Sequence, residues 1–171
     1  MGTGKTSPAA DRTAHFPKFF KAVDGCVKDY ADHRMHSAEH ILNQTMVRMF
    51  QTGRCFRAHI EKKKSKCDYH FDRSLSPEEM NELESRVNQV IDSDLPVREE
   101  FLSREEAQAL YNLDRLPEET GSRIRIVKVG DYDSCPCIGP HVSSTREIGR
   151  FHVISSSFED GVLRIRFKLG V

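Results

Sequence analysis

Two pairs of metal-ligand side chains, equally spaced and about a hundred residues apart, constrain this chain more than any other feature. His36 and His40 stand four apart in a helical pattern, and Cys137 and His141 repeat the spacing. On a helix, residues i and i+4 lie on one face a turn apart, so both imidazoles of the first pair can reach one point. The second pair sits in Cys137-Ile138-Gly139-Pro140-His141, where Gly139 and Pro140 oppose a continuous helix. A loop with its own turn can still aim both side chains at one point. Thiolate sulfur and imidazole nitrogen are zinc donors, usually four around the ion. A fold that uses both pairs must close a long segment over a helix and set a Zn2+ site between that helix and a loop. Cys135-Pro136-Cys137 offers two thiols, either of which could bind. The gap from Cys137 to His141 mirrors the helical pair and favours Cys137.

The remaining composition narrows the setting. Lys and Arg (26) balance Asp and Glu (26), so bulk charge gives no sign of nucleic-acid binding and local clusters must carry any such signal. A chain of 171 residues suits one domain with a short appendage. No apolar run reaches the ~18 residues of a membrane span, and the N-terminus lacks the apolar stretch of a secretory signal. A cytoplasmic protein with no membrane association is expected. Five cysteines, an odd number, argue against a disulfide framework. Cys26, Cys55 and Cys67 have no ligand spacing and read as core or surface thiols. Residues 1–30 are poorly patterned. Their Gly2-Thr3-Gly4-Lys5-Thr6 lacks the leading glycine and preceding strand of a phosphate loop and reads as a tail, with Phe16, Phe19 and Phe20 able to start a short element.

From Met35 to Phe50 the apolar pattern is helical, with Ile41, Met46, Met49 and Phe50 on one side and Gly53 as the stop. Phe56–Ile60 and Cys67–Phe71 read as strands around a basic turn, Glu61–Lys66. Ser76, Pro77 and Glu79 form a capping box for a second helix, whose buried stripe is Leu83, Val87, Val90 and Ile91 and which Pro96 ends. Val97–Leu102 reads as a strand, and Ser103 with Glu106 opens a short helix to about Leu110. Ile124–Val129, Phe151–Ser155 and Val162–Leu169 complete the strands, the last two joined by a turn at Asp160-Gly161. The pattern predicts one α+β domain over residues 31–171, a mostly antiparallel sheet packed against helices.

With these residues in view, the chain resembles a known family. His36-Ser-Ala-Glu-His-Ile-Leu42 and Cys137-Ile-Gly-Pro-His-Val-Ser-Ser-Thr-Arg-Glu-Ile-Gly149 are similar to the two metal motifs of the alanyl-tRNA synthetase editing domain. That domain also occurs in free-standing AlaX proteins and, more distantly, in threonyl-tRNA synthetase. Tyr69-His-Phe-Asp72, Ser76-Pro-Glu-Glu79, Leu95-Pro-Val97, Ser103-Arg-Glu-Glu-Ala107, Arg125–Tyr132 and Gly149-Arg-Phe151 follow the family's order, so the resemblance covers roughly residues 33–169. It implies a short trans-editing hydrolase that deacylates mischarged tRNA, chiefly Ser- or Gly-charged alanine tRNA. The alanine branch usually carries Cys-Gly-Gly-Thr-His; the Gly-Pro-His half here is more like the threonyl branch. Where the family places a polar residue on the strand after the first helix, this chain has Arg57, Ala58 and His59.

Hydrolysis of the ester needs an activated water, oxyanion stabilisation and a grip on the tRNA end. His59, if it faces the pocket, is the candidate general base. Lys62, Lys63, Lys64 and Lys66, with Arg54 and Arg57 before them, form a cationic cluster suited to acceptor-end phosphates. Arg164, Arg166 and Lys168 alternate on the last strand and could extend it. Two other readings remain. His-x-x-Glu-His is the inverted zinc-peptidase signature, with Glu39 activating water; otherwise Glu39 reads as a helix-surface carboxylate. The chain could also be a non-catalytic zinc module that binds tRNA.

Overall fold

The computed structural model describes residues 32–114, 116–117 and 121–170. The tail read over residues 1–30, with Phe16, Phe19, Phe20 and Cys26, lies outside them. Helix α1 (His33–Phe50) starts where the Asp32 side chain accepts from Arg34 N–H, satisfying one orphan donor of the first turn. It stops before Gly53: Gln51 takes up the left-handed conformation at φ 54° and returns its N–H to Val47 O, as a C-terminal cap does. Helices α2 (Pro77–Asp92) and α3 (Arg104–Leu110) open on the expected capping boxes, Ser76 with Glu79 and Ser103 with Glu106. α2 ends ahead of Pro96, because the Ser93 N–H caps Gln89 O and Asp94, at φ 54°, turns the chain away.

The strands are β1 (Arg57–His59), β2 (Ser65–His70), β3 (Val97–Ser103), β4 (Arg123–Val129), β5 (Asp133–Pro136), β6 (Phe151–Glu159) and β7 (Val162–Leu169). They form two sheets, ordered β1-β2-β7-β6 and β3-β4-β5, and every pairing between strands is antiparallel. The architecture is α+β. Asp160 and Gly161 join β6 to β7 with positive φ at both positions, 48° and 77°, the geometry a tight two-residue hairpin needs.

Alternation on β7 decides which face is core. Leu163, Ile165 and Phe167 are fully buried, while Arg164, Arg166 and Lys168 occupy the opposite face. The buried set meets Ile41, Leu42 and Met46 of α1 and Leu83 and Val87 of α2 in one cluster with Tyr69 and Phe151. A smaller cluster, Ala107 with Ile124 and Ile126, packs α3 on the second sheet. No described helix is long and apolar enough to cross a membrane.

One buried polar residue ties α2 to β6. The Asn88 side chain accepts from Phe151 N–H and donates to Phe151 O, both at 2.9 Å. Asn88→Ala leaves both backbone groups buried and unpaired, at roughly 1–3 kcal/mol for each. Urea unfolding should show a lower midpoint with an unchanged slope.

Candidate metal centre

α1 is buried almost all round between Met35 and Asn43, and its two buried faces differ. Met35, Ala38, Ile41 and Leu42 join the apolar core, whereas His36, Glu39 and His40 line a cavity. The opposite wall comes from β5, a strand the sequence pattern does not announce because it is only four residues long and ends in proline. Its alternation turns Asp133 and Cys135 inward, both buried, and Cys137 follows in the same phase just beyond the strand. Arg125 on β4 holds the loop after β5: its Nη1 donates to Cys137 O at 2.9 Å and to Gly139 O at 2.7 Å, and its Nη2 donates to Glu99 at 2.5 Å.

These two walls bring His36, His40, Cys137 and His141 together, their ligand atoms all within 4.8 Å of one another. Cys137 Sγ lies 3.5 Å from His36 Nε2 and 3.4 Å from His141 Nε2. With Zn–S near 2.3 Å and Zn–N near 2.0–2.1 Å, two donors on one tetrahedral zinc stand about 3.6 Å apart. The quartet therefore fits a zinc ion with little rearrangement.

The other ring nitrogens are occupied, which fixes which nitrogen faces the centre. His36 Nδ1 meets Pro140 O at 3.0 Å, and His141 Nδ1 meets Ser37 Oγ at 3.0 Å. Ser37 Oγ also accepts from Val142 N–H at 3.2 Å. His40 Nδ1 lies 3.5 Å from Asp133, whose carboxylate takes both guanidinium ends of Arg54 at 2.6 and 3.2 Å. This Arg54–Asp133–His40 chain orients the third imidazole.

The electrostatics of Cys137 and His141 suit a metal, whereas at His40 burial lowers the pKa but Cys135 and Asp133 outweigh it and raise it, so zinc displaces a proton there. Burial raises the Cys137 pKa, but hydrogen bonds from His141, His36 and His40 outweigh it and bring the thiol down to about 2. Burial and the nearby charges of His40 and His36 take His141 down to about 4, against the pull of Cys137. A thiolate and a neutral imidazole are the forms that bind zinc. Asp133 falls to about 2: burial opposes its charge, but His40 and Arg54 more than offset that.

Residues 124–166 match the family described as the threonyl and alanyl tRNA synthetase second additional domain. The alanine–tRNA ligase of Methanopyrus kandleri is 32% identical over 145 residues, which is 80% of this chain and 15% of that protein. The threonine–tRNA ligase of Dehalococcoides mccartyi is 32% identical over 125 residues, 70% of this chain and 21% of that protein. The alanine–tRNA ligase of Coxiella burnetii is 33% identical over 129 residues, 72% of this chain and 14% of that protein. The chain is related to the editing-domain family of the alanyl- and threonyl-tRNA synthetases. It spans about a fifth or less of the length of these relatives.

The stretch matched to the second additional domain contains Asp133, Cys135, Cys137 and His141, the β5 wall of the site. Cys135 lines the same cavity and forms a group of its own with His40 and Asp133, their ligand atoms also within 4.8 Å of one another. Its Sγ is 3.3 Å from His40 Nδ1 and 4.0 Å from Nε2, which places it with Asp133 on the outer side of that ring. The inverted peptidase signature needs a downstream carboxylate as third ligand, but here the histidine pair converges on Cys137 and His141.

The remaining candidate residues divide between the cavity wall, where Glu39 and Arg54 lie, and the surface. Ala58 and Ile60 line the cavity, so alternation puts His59 on the other face of β1, with its Nε2 2.5 Å from Glu61. That position does not supply a general base to the cavity. Arg54 points inward to Asp133 and is not part of an exposed basic track. Lys62, Lys63 and Lys64 are exposed, Lys66 is half-buried, and Arg57 is exposed on the outer face of β1. Glu39, read from sequence as a surface carboxylate, is buried and lines the cavity. Its signal was available: it directly precedes His40 on a helix whose neighbouring positions are nearly all apolar or ligand-type. Asp133 and Arg125 had no local signal, since their roles arise from pairing across β4, β5 and α1.

Removing the Asp133 carboxylate (Asp133→Ala) leaves His40 Nδ1 with Cys135 Sγ alone of these two partners and takes the bidentate partner from Arg54. Zinc affinity, measured by competition with a chromophoric chelator, should fall ~10–100-fold while His36, Cys137 and His141 remain in place.

Proposed function

We propose that the chain is a zinc-dependent hydrolase that removes the amino acid from mischarged tRNA in trans, with Ser- or Gly-charged alanine tRNA as the first substrates to test. The observation that carries this reading is the His36–His40–Cys137–His141 quartet opening onto a small cavity, in a chain related to the synthetase editing-domain family. The cavity holds about 220 Å³, below the ~300–1,000 Å³ typical of drug-sized ligands. That is room for a small aminoacyl group and little of an extended peptide. Ala58, Ile60 and Ile138 give it apolar walls, and Asn112, Leu116 and Pro117, from the segment after α3, also line it.

The quartet would hold Zn2+, which supplies polarisation of the ester carbonyl and a lowered pKa for water. The residues of the chain divide the remaining tasks. Arg125 fixes the backbone of Cys137–Gly139 along one side of the cavity. Glu39 presents a carboxylate at its inner end, with Oε2 3.9 Å from His40 Nε2 and Oε1 held by the Asn43 amide at 2.5 Å. Burial works against its charge, but His40, His36 and Arg54 outweigh that and keep its pKa below the usual range. Glu39 is therefore an anionic carboxylate lining the cavity, where His59 is not. The apolar walls limit bulk water around the ester.

The turn after Ile60 leads directly from the cavity wall to Lys62, Lys63 and Lys64. Across the outer face of the first sheet, Lys66 stands opposite Arg166, and Arg57 and Arg164 flank Asp68. We assign the acceptor-end phosphates to this basic surface, and a cytoplasmic setting follows from a tRNA substrate. A non-catalytic zinc module that binds tRNA is the second reading, because four protein ligands are the pattern of a closed zinc site.

A panel of Ser-, Gly- and Ala-charged alanine tRNA and Ser-charged threonine tRNA separates the two. The zinc-loaded protein should release serine or glycine and spare Ala-charged tRNA. Binding with every ester left intact establishes the module instead. Changing Lys62, Lys63 and Lys64 together to Ala should raise KM with kcat nearly constant. It should also reduce the log–log salt slope of tRNA binding by about 2–3, given ~0.7–0.9 per phosphate contact.

A further inference from the structure

Glu39 also belongs to a second cluster, separate from the quartet. Its Oε1 lies 3.4 Å from Cys55 Sγ, and the ligand atoms of Glu39, Cys55 and Cys67 are all within 4.8 Å of one another. The three residues are 7%, 1% and 0% exposed. Cys67 and Tyr69 alternate onto the same buried face of β2. The Tyr69 hydroxyl is fully buried and has no hydrogen-bond partner among the described residues. It stands among the cluster, within electrostatic reach of Cys67, Cys55 and Glu39. A buried hydroxyl left without a partner is rare in folded proteins and calls for an ion or water to meet it.

We propose that Glu39, Cys55 and Cys67 form a second site for a thiophilic divalent cation such as zinc, with the Tyr69 hydroxyl beside them as an outer donor to the Cys67 sulfur. Thiolate and carboxylate donors on one tetrahedral zinc stand about 3.5–3.6 Å apart, and Cys55 and Glu39 are already 3.4 Å apart. Two sulfur donors select against magnesium and calcium, which take oxygen. Binding exchanges the two thiol protons for the ion and releases them to solvent. Two thiolates and a carboxylate carry three negative charges against the ion's two. The Arg54 guanidinium, paired with Asp133, also lies within electrostatic reach of Glu39 and Tyr69 and lessens the remainder. Asn43 holds the two strand-to-helix ligands in register: its amide donates to Glu39 Oε1 at 2.5 Å, and its carbonyl accepts from Cys55 N–H at 2.8 Å. Glu39 lines the cavity and gives the ion a way in.

The site does not depend on the deacylase reading. The full chain, stripped of metal and reloaded with zinc alone, should carry two ions per chain by mass spectrometry after gel filtration. Cys55→Ser/Cys67→Ser should retain one. His36→Ala/His141→Ala should also retain one, and its cobalt form should show thiolate charge-transfer bands. Tyr69→Phe, which keeps the ring packed in the core, should weaken the second equivalent ~10–100-fold without affecting the first. Circular dichroism of each variant checks folding. One ion in the wild type that disappears with His36→Ala/His141→Ala and survives Cys55→Ser/Cys67→Ser overturns the proposal, as does a Cys55–Cys67 disulfide in the freshly reduced, zinc-loaded protein. One ion with the opposite dependence sustains the second site and removes the quartet's zinc, so the two readings fail separately.

Discussion

Helix α1 contacts both the four-stranded sheet and the Asp133–His141 segment, and the polar side of that contact is stable only because its buried groups meet partners. His36, Ser37, Glu39, His40 and Asn43 are all buried, and each would cost several kcal/mol if left unpaired. Pro140 O, His141, Asp133 and Cys55 meet most of these groups. The same contacts that permit burial set which imidazole nitrogens face the centre. Fold and site therefore rest on one interface: displacing β5 from α1 would expose or orphan the groups that make the ligand set.

That interface explains why so much of the machinery lies away from the ligand motifs. Arg125, on β4, acts through two carbonyls of the loop after β5. Arg54, from the segment after α1, acts through Asp133 on His40. Neither need touch a metal, yet each limits the freedom of a ligand. Rigid support of this kind is what a site needs to hold its donors within a few tenths of an ångström. The cavity is narrow for a related reason, since Ala58 and Ile60 enter it from β1, close to the metal wall.

Much of the local structure was legible in the sequence. Capping boxes placed α2 and α3, because a serine three residues before a glutamate satisfies helix-start donors without tertiary help. Asp160-Gly161 placed the last hairpin, since only residues tolerant of positive φ serve there. Leu83, Val87, Val90 and Ile91 gave the buried stripe of α2. What escaped was non-local. β5 is too short to show a period, the division into two sheets depends on which edges pair, and the Gln51 stop is a cap that side-chain chemistry does not advertise. For His59, the motif gave a plausible acid–base residue, but a one-residue alternation decides whether a strand side chain faces the cavity or the solvent.

The sequence by itself determined the ligand types and their spacing: two imidazoles one helical turn apart, and a thiol with a third imidazole across a glycine–proline turn. These are properties of a few consecutive residues and survive without the rest of the chain. Only the tertiary structure decided that His36, His40, Cys137 and His141 converge, that Cys135 meets His40 beside Asp133, and that Glu39 rather than His59 lines the cavity. Those outcomes depend on the distance between α1 and β5, and that distance is set by packing over the whole core.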